Sequence, residues 1–316
     1  MILSVTLNPS VDRTIFVESL HPHDTNRVEK ADTDAGGKGV NVARVATELG
    51  ARVIATGFLG GRTGRFVRDT LDTEGVQHAF VSTEGETRLN IAIQEREADA
   101  KSGEPPPPTS LNERGPTISL REWGALNELL EELYPAATYV VLAGSLPQGV
   151  GADSYLTLMR AAREYGCLCC VDADGYALQH AMREPPFLVK PNGEEASRFL
   201  RMQVSSVEEA LDAARAFHER GVAIAIVSIG ANGAAMVSSE GTFFAKPPNV
   251  ETVSTIGSGD SLLGAFLAAL EEGRSHEEAL RLGVAAGAAT ATTGGAEIGR
   301  RGTILSLVDQ VEVNHV

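Results

Sequence analysis

Basic residues are in short supply. The chain sets 27 Lys and Arg against 42 Asp and Glu, a formal net charge of −15 over 316 residues. A surface of that sign repels nucleic acid and anionic membrane, and neither is expected as a partner. An anionic ligand would have to meet a small basic island, for which Arg27, Lys38, Arg88 and Lys190 are candidates. Cysteine is scarce as well. Cys167, Cys169 and Cys170 crowd one apolar segment, an odd cluster that makes no disulfide framework and has no further zinc ligands nearby. Buried reduced thiols suit a cytoplasmic setting. No uncharged apolar run reaches membrane-spanning length. The opening MILSVTLNPSVD has no basic region and no long apolar core, so a secretory signal is not expected. A Walker loop and a G-x-G-x-x-G following a strand are both missing. No internal repeat is visible.

What is present points to an α/β protein. Hydrophobic residues make up 43% and glycine is abundant at 33, with aromatics at only 5%. ILSVTL (2–7) reads as a buried strand. TIFVESL (14–20), NRVEKAD (26–32) and TRLNIAIQER (87–96) alternate polar and apolar, as strands with one wet face do. Helices are expected at 37–50 and 63–75 around a strand at 52–60. From 119 the rhythm is regular. Helices at 119–133, 152–165, 176–182, 193–201 and 206–220 alternate with strands at 138–144, 167–173, 187–190 and 223–230. Short strands at 234–238 and 242–246 follow, and helices at 259–272 and 276–291 close the chain. Continuous apolar strands between helices imply a mostly parallel sheet covered on both faces. The early alternating strands should form a separate small sheet over it, from about 12–34 and 86–113, within one domain spanning 1–316. KSGEPPPPTS (101–110) reads as an exposed loop, a linker or the tip of that small sheet.

In open α/β sheets, ligands bind beyond the carboxyl ends of the strands. Asp12, Gly144-Ser145, Asp172, Lys190 to Glu195 and Ser228 to Gly230 all fall there. Several short stretches each support two readings. In AGGKGVNVAR (35–44), Gly36 and Gly37 admit a ligand to a helix start, with Lys38 and Asn41 beside it, or else make an ordinary turn. Arg88 and Asn90 share a strand face that either grips a phosphate or is solvated. In KPNGEE (190–195), Asn192 and Glu195 form a capping box or organise a hydrated Mg²⁺. In IGSGD (256–260), Asp260 caps a helix or takes a proton from an attacking hydroxyl beside an anion-holding turn.

Together, TLNPSVD, AGGKGVNVARV, GETRLNIAI, GSLPQG, KPNGEE, VSIGANGA and GSGDSLLGAF resemble the ribokinase-like (PfkB) sugar kinases in order and spacing across the chain. The set is most similar to the branch acting on ketohexose phosphates. The resemblance implies an ATP-dependent kinase of tagatose 6-phosphate or fructose 6-phosphate, with fructose 1-phosphate a further option. It implies that Asp12, Gly36, Gly37, Asn41 and Asn90 serve the sugar, and that Lys38, Arg88, Arg27 and Ser145 serve its phosphate. Asp260 would be the base, with Gly257, Ser258 and Gly259 as anion hole. Asn192, Glu195 and Asp172 would organise Mg²⁺–ATP, with Lys190 on the ATP phosphates and Ser228, Gly230 and Gly233 along the nucleotide. The small sheet would be a lid, and two lids would pair in a homodimer.

Four departures bear on this. Ala92 stands where the fructose-1-phosphate branch often has Lys, Asp174 where the phosphosugar branch commonly has Ser, and Ser254 where ribokinases keep an acid near a potassium site. The Pro-rich insert is the fourth. Two other readings remain: a kinase of an unphosphorylated sugar or nucleoside, and a non-catalytic sugar-phosphate sensor.

Overall fold

The computed structural model describes residues 1–96 and 108–316. Most of the expected Pro-rich loop lies outside the described residues. The first part of the chain forms β1 (Ile2–Thr6), β2 (Ser10–Val17), β3 (Lys30–Gly36), α1 (Lys38–Glu48), β4 (Val53–Gly60), α2 (Gly61–Thr73), β5 (Gln77–Thr83), β6 (Arg88–Glu95) and β7 (Thr109–Asn112). The alternation of helix and strand follows, with α3 (Leu120–Leu133), β8 (Tyr139–Ala143), α4 (Ser154–Glu164), β9 (Leu168–Asp172), α5 (Gly175–Ala181), β10 (Leu188–Val189), α6 (Gly193–Leu200), α7 (Val207–Glu219) and β11 (Ile224–Ser228). The last part is β12 (Ala234–Ser238), β13 (Gly241–Lys246), α8 (Ser258–Glu271), α9 (His276–Ala291), α10 (Arg301–Val308) and β14 (Glu312–His315).

Ten strands make the main sheet in the order β14-β13-β12-β11-β10-β9-β8-β1-β4-β5. Pairing is parallel from β11 across to β5, and antiparallel among β11, β12, β13 and β14. The central strands are apolar on both faces because helices cover both. One core unites residues of α1, α2, α8, α9 and α10 with one face, and a second unites α3 to α7 with the other. Capping boxes start α3, α6, α7 and α9, each an oxygen side chain with Glu three residues on. Helix α8 is buried without a break from Asp260 to Ala269, as its apolar sequence requires, and packs between α1 and α9. Two helices that carry candidate residues are thus held against each other by the core.

Among the described residues the second sheet has four strands, β3-β2-β6-β7. Strands β2 and β6 run parallel, with Ser10 opposite Arg88 and Asp12 opposite Asn90. The structure corrects the expected boundaries here. The strand expected at 26–32 is found at Lys30–Gly36, β5 and β7 were not expected, and α9 does not close the chain.

Phe266 lies fully buried in α8. We expect Phe266→Ala to cost about 3–5 kcal/mol. Urea unfolding should show a lower midpoint at unchanged slope.

Candidate active site

The strand order reverses direction at β1. From it the chain proceeds to β4 and β5 on one side, then returns to β8 and its successors on the other. A crevice is expected beyond the carboxyl ends at such a point. A cavity of about 610 Å³ opens there, lined by Asn8 after β1, Gly144 and Ser145 after β8, and Asp174 after β9, together with Lys38, Arg88 and Glu195.

Lys38 and Glu195 belong both to this cavity and to a buried cluster of charge. The Lys38 ammonium donates to Asp172 Oδ1 at 2.7 Å and to Glu195 Oε1 at 2.8 Å. Lys190 Nζ stands 2.8 Å from the other Asp172 oxygen. Burial alone would favour the neutral forms of Asp172 and Lys38, but it is outweighed: the Asp172 carboxyl is held below its usual range despite complete burial, through Lys190 and Lys38. Lys38 is raised above the usual lysine range, burial being outweighed by Asp172 and Glu195.

Asp260 sits in the first turn of α8, 8% exposed. Its Oδ2 accepts from Asn41 Nδ2 at 2.9 Å. Burial first, then the negative charge of Asp172, push its pKa up to about 7, while Lys38, Lys190 and the Asn41 amide pull the other way. A carboxyl so poised can take up a proton near neutrality. The turn before it depends on Gly257, whose φ of 78° is left-handed. Ser258 N turns back to Thr255 O at 3.3 Å. Among the described residues, the amides of Gly257, Gly259 and Asp260 have no such partner. A methyl on Gly259 would lie 3.2 Å from Lys190 Nζ, so an ammonium adjoins these amides. Donors and a helix N-terminus converge there on a place suited to negative charge.

Residues of the small sheet come next. Asp12 Oδ1 accepts from Ser10 Oγ at 2.7 Å and from Asn90 Nδ2 at 2.9 Å, so the β2–β6 register fixes all three. Its carboxylate lies against Gly36, where a Cβ would overlap it. Arg88 is half-buried, its Nη1 donates to Glu113 O at 3.3 Å, and its Nε is buried without a partner among the described residues. Burial lowers its pKa, against the opposing pull of Asp12. Arg27 is not brought to the cavity. It is exposed in the connection between β2 and β3.

Asn192 and Glu195 form the capping box in full, with both bonds at 2.9 Å. The capping reading is therefore realised, and Glu195 also turns its second oxygen to Lys38. Asp172, expected near the metal, lies between two lysines. Ser228, the last residue of β11, bridges to Asn192, Gly230 and Gly233 bracket the tight turn that follows, and Gly37 stands at the start of α1. Asp174 caps α5 and pairs with Arg198 at 2.6 Å, which occupies the departure from serine. Ser254 Oγ donates to Gly295 O at 2.8 Å. Among the described residues no group of three or more His, Cys, Asp or Glu is arranged to hold a metal.

Sequence reasoning missed three residues. Asn8 Nδ2 lies 3.1 Å from both Ser145 Oγ and Arg114 O, tying β1 to β8 and to the exit from β7. Tyr155, fully buried, donates to Gly144 O at 3.0 Å. Arg44 lies one turn beyond Asn41 and is buried. Asn8 and Arg44 fall inside the short stretches TLNPSVD and AGGKGVNVARV, which was the available signal.

A family profile described as "pfkB family carbohydrate kinase" matches residues 5–301. A 1-phosphofructokinase of Bacillus subtilis (strain 168) is 35% identical over 316 residues, all of both chains. A tagatose-6-phosphate kinase of Staphylococcus epidermidis is 35% identical over 286 residues, 89% of each chain. Among solved structures, phosphofructokinase-2 from Escherichia coli in complex with substrates and products superimposes with a TM-score of 0.86, at 31% identity and 98% coverage of each chain.

An acid whose pKa rises on folding loses stability as pH climbs from its unfolded value, near 4, through its folded value, about 7. Asp260→Asn is therefore expected to stabilise the fold at pH 8, by at least about 1 kcal/mol. The gain should vanish near pH 4, as read by thermal unfolding at both values.

Proposed function

The chain belongs to the pfkB family of carbohydrate kinases, and from that premise we propose that it transfers the γ-phosphoryl group of ATP to a hydroxyl of a ketohexose phosphate. One observation carries this reading: the Asp260 carboxyl, poised near neutrality in the first turn of α8 among amides without a partner in the described residues, feels the charge of Lys38, which itself lines the cavity with Arg88 and Ser145.

In this mechanism the sugar hydroxyl gives its proton to Asp260 as its oxygen bonds to the γ-phosphorus. The bond from that phosphorus to the β–γ bridging oxygen breaks, and ADP leaves. The amides of Gly257, Gly259 and Asp260, with Lys190, meet the charge on the transferring group. Asp12, Gly36, Gly37, Asn41 and Asn90 would orient the sugar, and Arg88, Lys38 and Ser145 would receive its existing phosphate. The nucleotide would lie along Asn192, Ser228, Gly230 and Gly233.

Mg²⁺ would neutralise and align the ATP phosphates. It keeps several waters and needs only one or two carboxylates, and Glu195 at the cavity edge fits that demand through water. Asp172, with no exposed surface, fits a different task, holding the two lysines in place. The small sheet would close over the cavity and exclude water. A second copy would pair with this sheet, where Leu111 of β7 is 55% exposed and Val28, in the connection just before β3, 53%.

Ala92 is buried in β6 and brings no cation to the site, which supports tagatose 6-phosphate and fructose 6-phosphate. The full-length likeness to a 1-phosphofructokinase keeps fructose 1-phosphate in the comparison. A coupled assay at fixed Mg²⁺–ATP, run with the three sugar phosphates, ribose and fructose, tests the reading. Turnover confined to the phosphorylated sugars is expected, and activity on ribose alone would overturn it.

Asp260→Asn should lower kcat by roughly 10²–10⁴ with little change in ATP binding. For the parent enzyme, kcat/KM should fall about tenfold per pH unit below about 7. Arg88→Ala should raise the KM for sugar phosphate roughly tenfold or more, as expected for a lost charge-assisted contact. An unchanged KM would remove Arg88 from the phosphate.

A further inference from the structure

Arg44 is a cation placed where water does not reach, its side chain only 2% exposed. Such a charge needs a partner, and Glu74, just past α2, supplies one in a two-pronged pair. Arg44 Nε donates to one Glu74 oxygen at 2.7 Å and Nη2 to the other at 2.6 Å. The remaining nitrogen, Nη1, is turned inward. It donates to Ala35 O at 3.0 Å and Ala296 O at 3.3 Å, and stands 3.5 Å from Asn41 Oδ1.

A side-chain amide has two unlike ends. Asp260 needs the nitrogen end of Asn41, because a carboxylate oxygen accepts and cannot donate. The oxygen end faces the guanidinium. Turning the amide over would set its oxygen against the Asp260 carboxylate and its NH₂ against the Arg44 cation, two repulsive contacts in place of two attractive ones.

We propose that Arg44, clamped by Glu74, is a positioning residue that fixes the Asn41 amide with its nitrogen toward Asp260 and so orients the base. The proposal rests on the reading of Asp260 as base. Arg44 touches no reacting atom and acts through Asn41. Its bonds to Ala35 and Ala296 also tie the end of β3 and the chain after α9 to α1, so a structural share is built in. The test must separate the two.

If Arg44 works through Asn41, its effect must disappear once Asn41 is gone. We expect Arg44→Lys to lower kcat about tenfold while the KM for ATP stays within twofold. In the Asn41→Ala background the same change should alter kcat by less than twofold. The lower limb of the kcat–pH profile should move to higher pH in Arg44→Lys, because the Asn41 donor stabilises the ionised base. The other charges that act on Asp260, those of Asp172, Lys38 and Lys190, are unaltered in these variants. Glu74→Gln, which keeps the shape and weakens the clamp, should shift kcat and profile the same way by a smaller factor, about threefold.

Independent, multiplying effects of Arg44→Lys and Asn41→Ala would overturn the proposal. So would an Arg44→Lys enzyme with a lower melting temperature but unchanged kcat and profile. If Arg44→Lys does not fold, Glu74→Gln decides: unchanged kcat and profile overturn the proposal, and the threefold loss with its upward limb supports it. Asp260→Asn, assayed alongside, separates the premises. Near-normal turnover there removes the base itself, whereas an inactive Asp260→Asn with multiplying Arg44 and Asn41 effects removes only the clamp.

Discussion

Three carboxylates share two ammonium groups at the heart of this molecule: Asp172, Glu195 and Asp260 against Lys38 and Lys190. The set is one positive charge short, and burial prevents water from making up the difference. Asp172 and Glu195 lie in direct contact with ammonium nitrogens, so the shortfall falls on Asp260, whose side-chain hydrogen-bond partner among the described residues is the Asn41 amide. That inequality separates an acid held ionised by its neighbours from one poised near neutrality without any special residue. It also explains why the acid at the helix mouth holds its proton into the neutral range while its neighbour at the end of β9 gives it up far below.

The backbone makes this inequality possible. Asp172 ends β9, Lys190 follows β10, Lys38 opens α1 and Asp260 opens α8. Four separate stretches of chain meet at the carboxyl edge of one sheet, and the apolar body of α8, wedged against α1 and α9, sets the distance between Asn41 and Asp260. The pairings that hold the site together cross long sequence separations, so the core must be complete before the charges can meet.

Much of this arrangement was legible from the residues. Strands such as ILSVT and YVVLA are buried on both faces and carry unbroken apolar runs. Gly-rich helix starts and polar strand ends marked the site. The misses share a cause. Strand β5, QHAFVST, is an edge with one neighbour, and its mixed burial gives no clean period. β7 has four residues, all exposed, and β14 is an exposed edge. In β3, KADTDAG, acidic residues lie on a strand because β2 pairs with it, while the preceding NRVEKAD carried the misleading alternation. Nothing local in the sequence sets Asn8 and Arg44 apart from their neighbours. Their meaning lies in partners more than a hundred and thirty positions away, Ser145 at 137, and thirty away, Glu74. The double identity of Asn192 and Glu195 is resolved only by geometry, since a capping box leaves Glu195 with a second oxygen free to meet Lys38.

The two sheets divide the labour in a way that affects how such a chain can change. Arg88, Asn90 and Asp12 belong to the smaller ladder, whose strands are partly wet, while Asp172 and Lys190 sit at strand ends of the large sheet and Asp260 on a helix packed against it. On the proposed reading, substitutions on the outer ladder would retune which molecule is admitted without disturbing the packed interior that holds Asp260. A lineage built on this plan has one conservative workshop and one interchangeable doorway, and diversification should concentrate in the doorway.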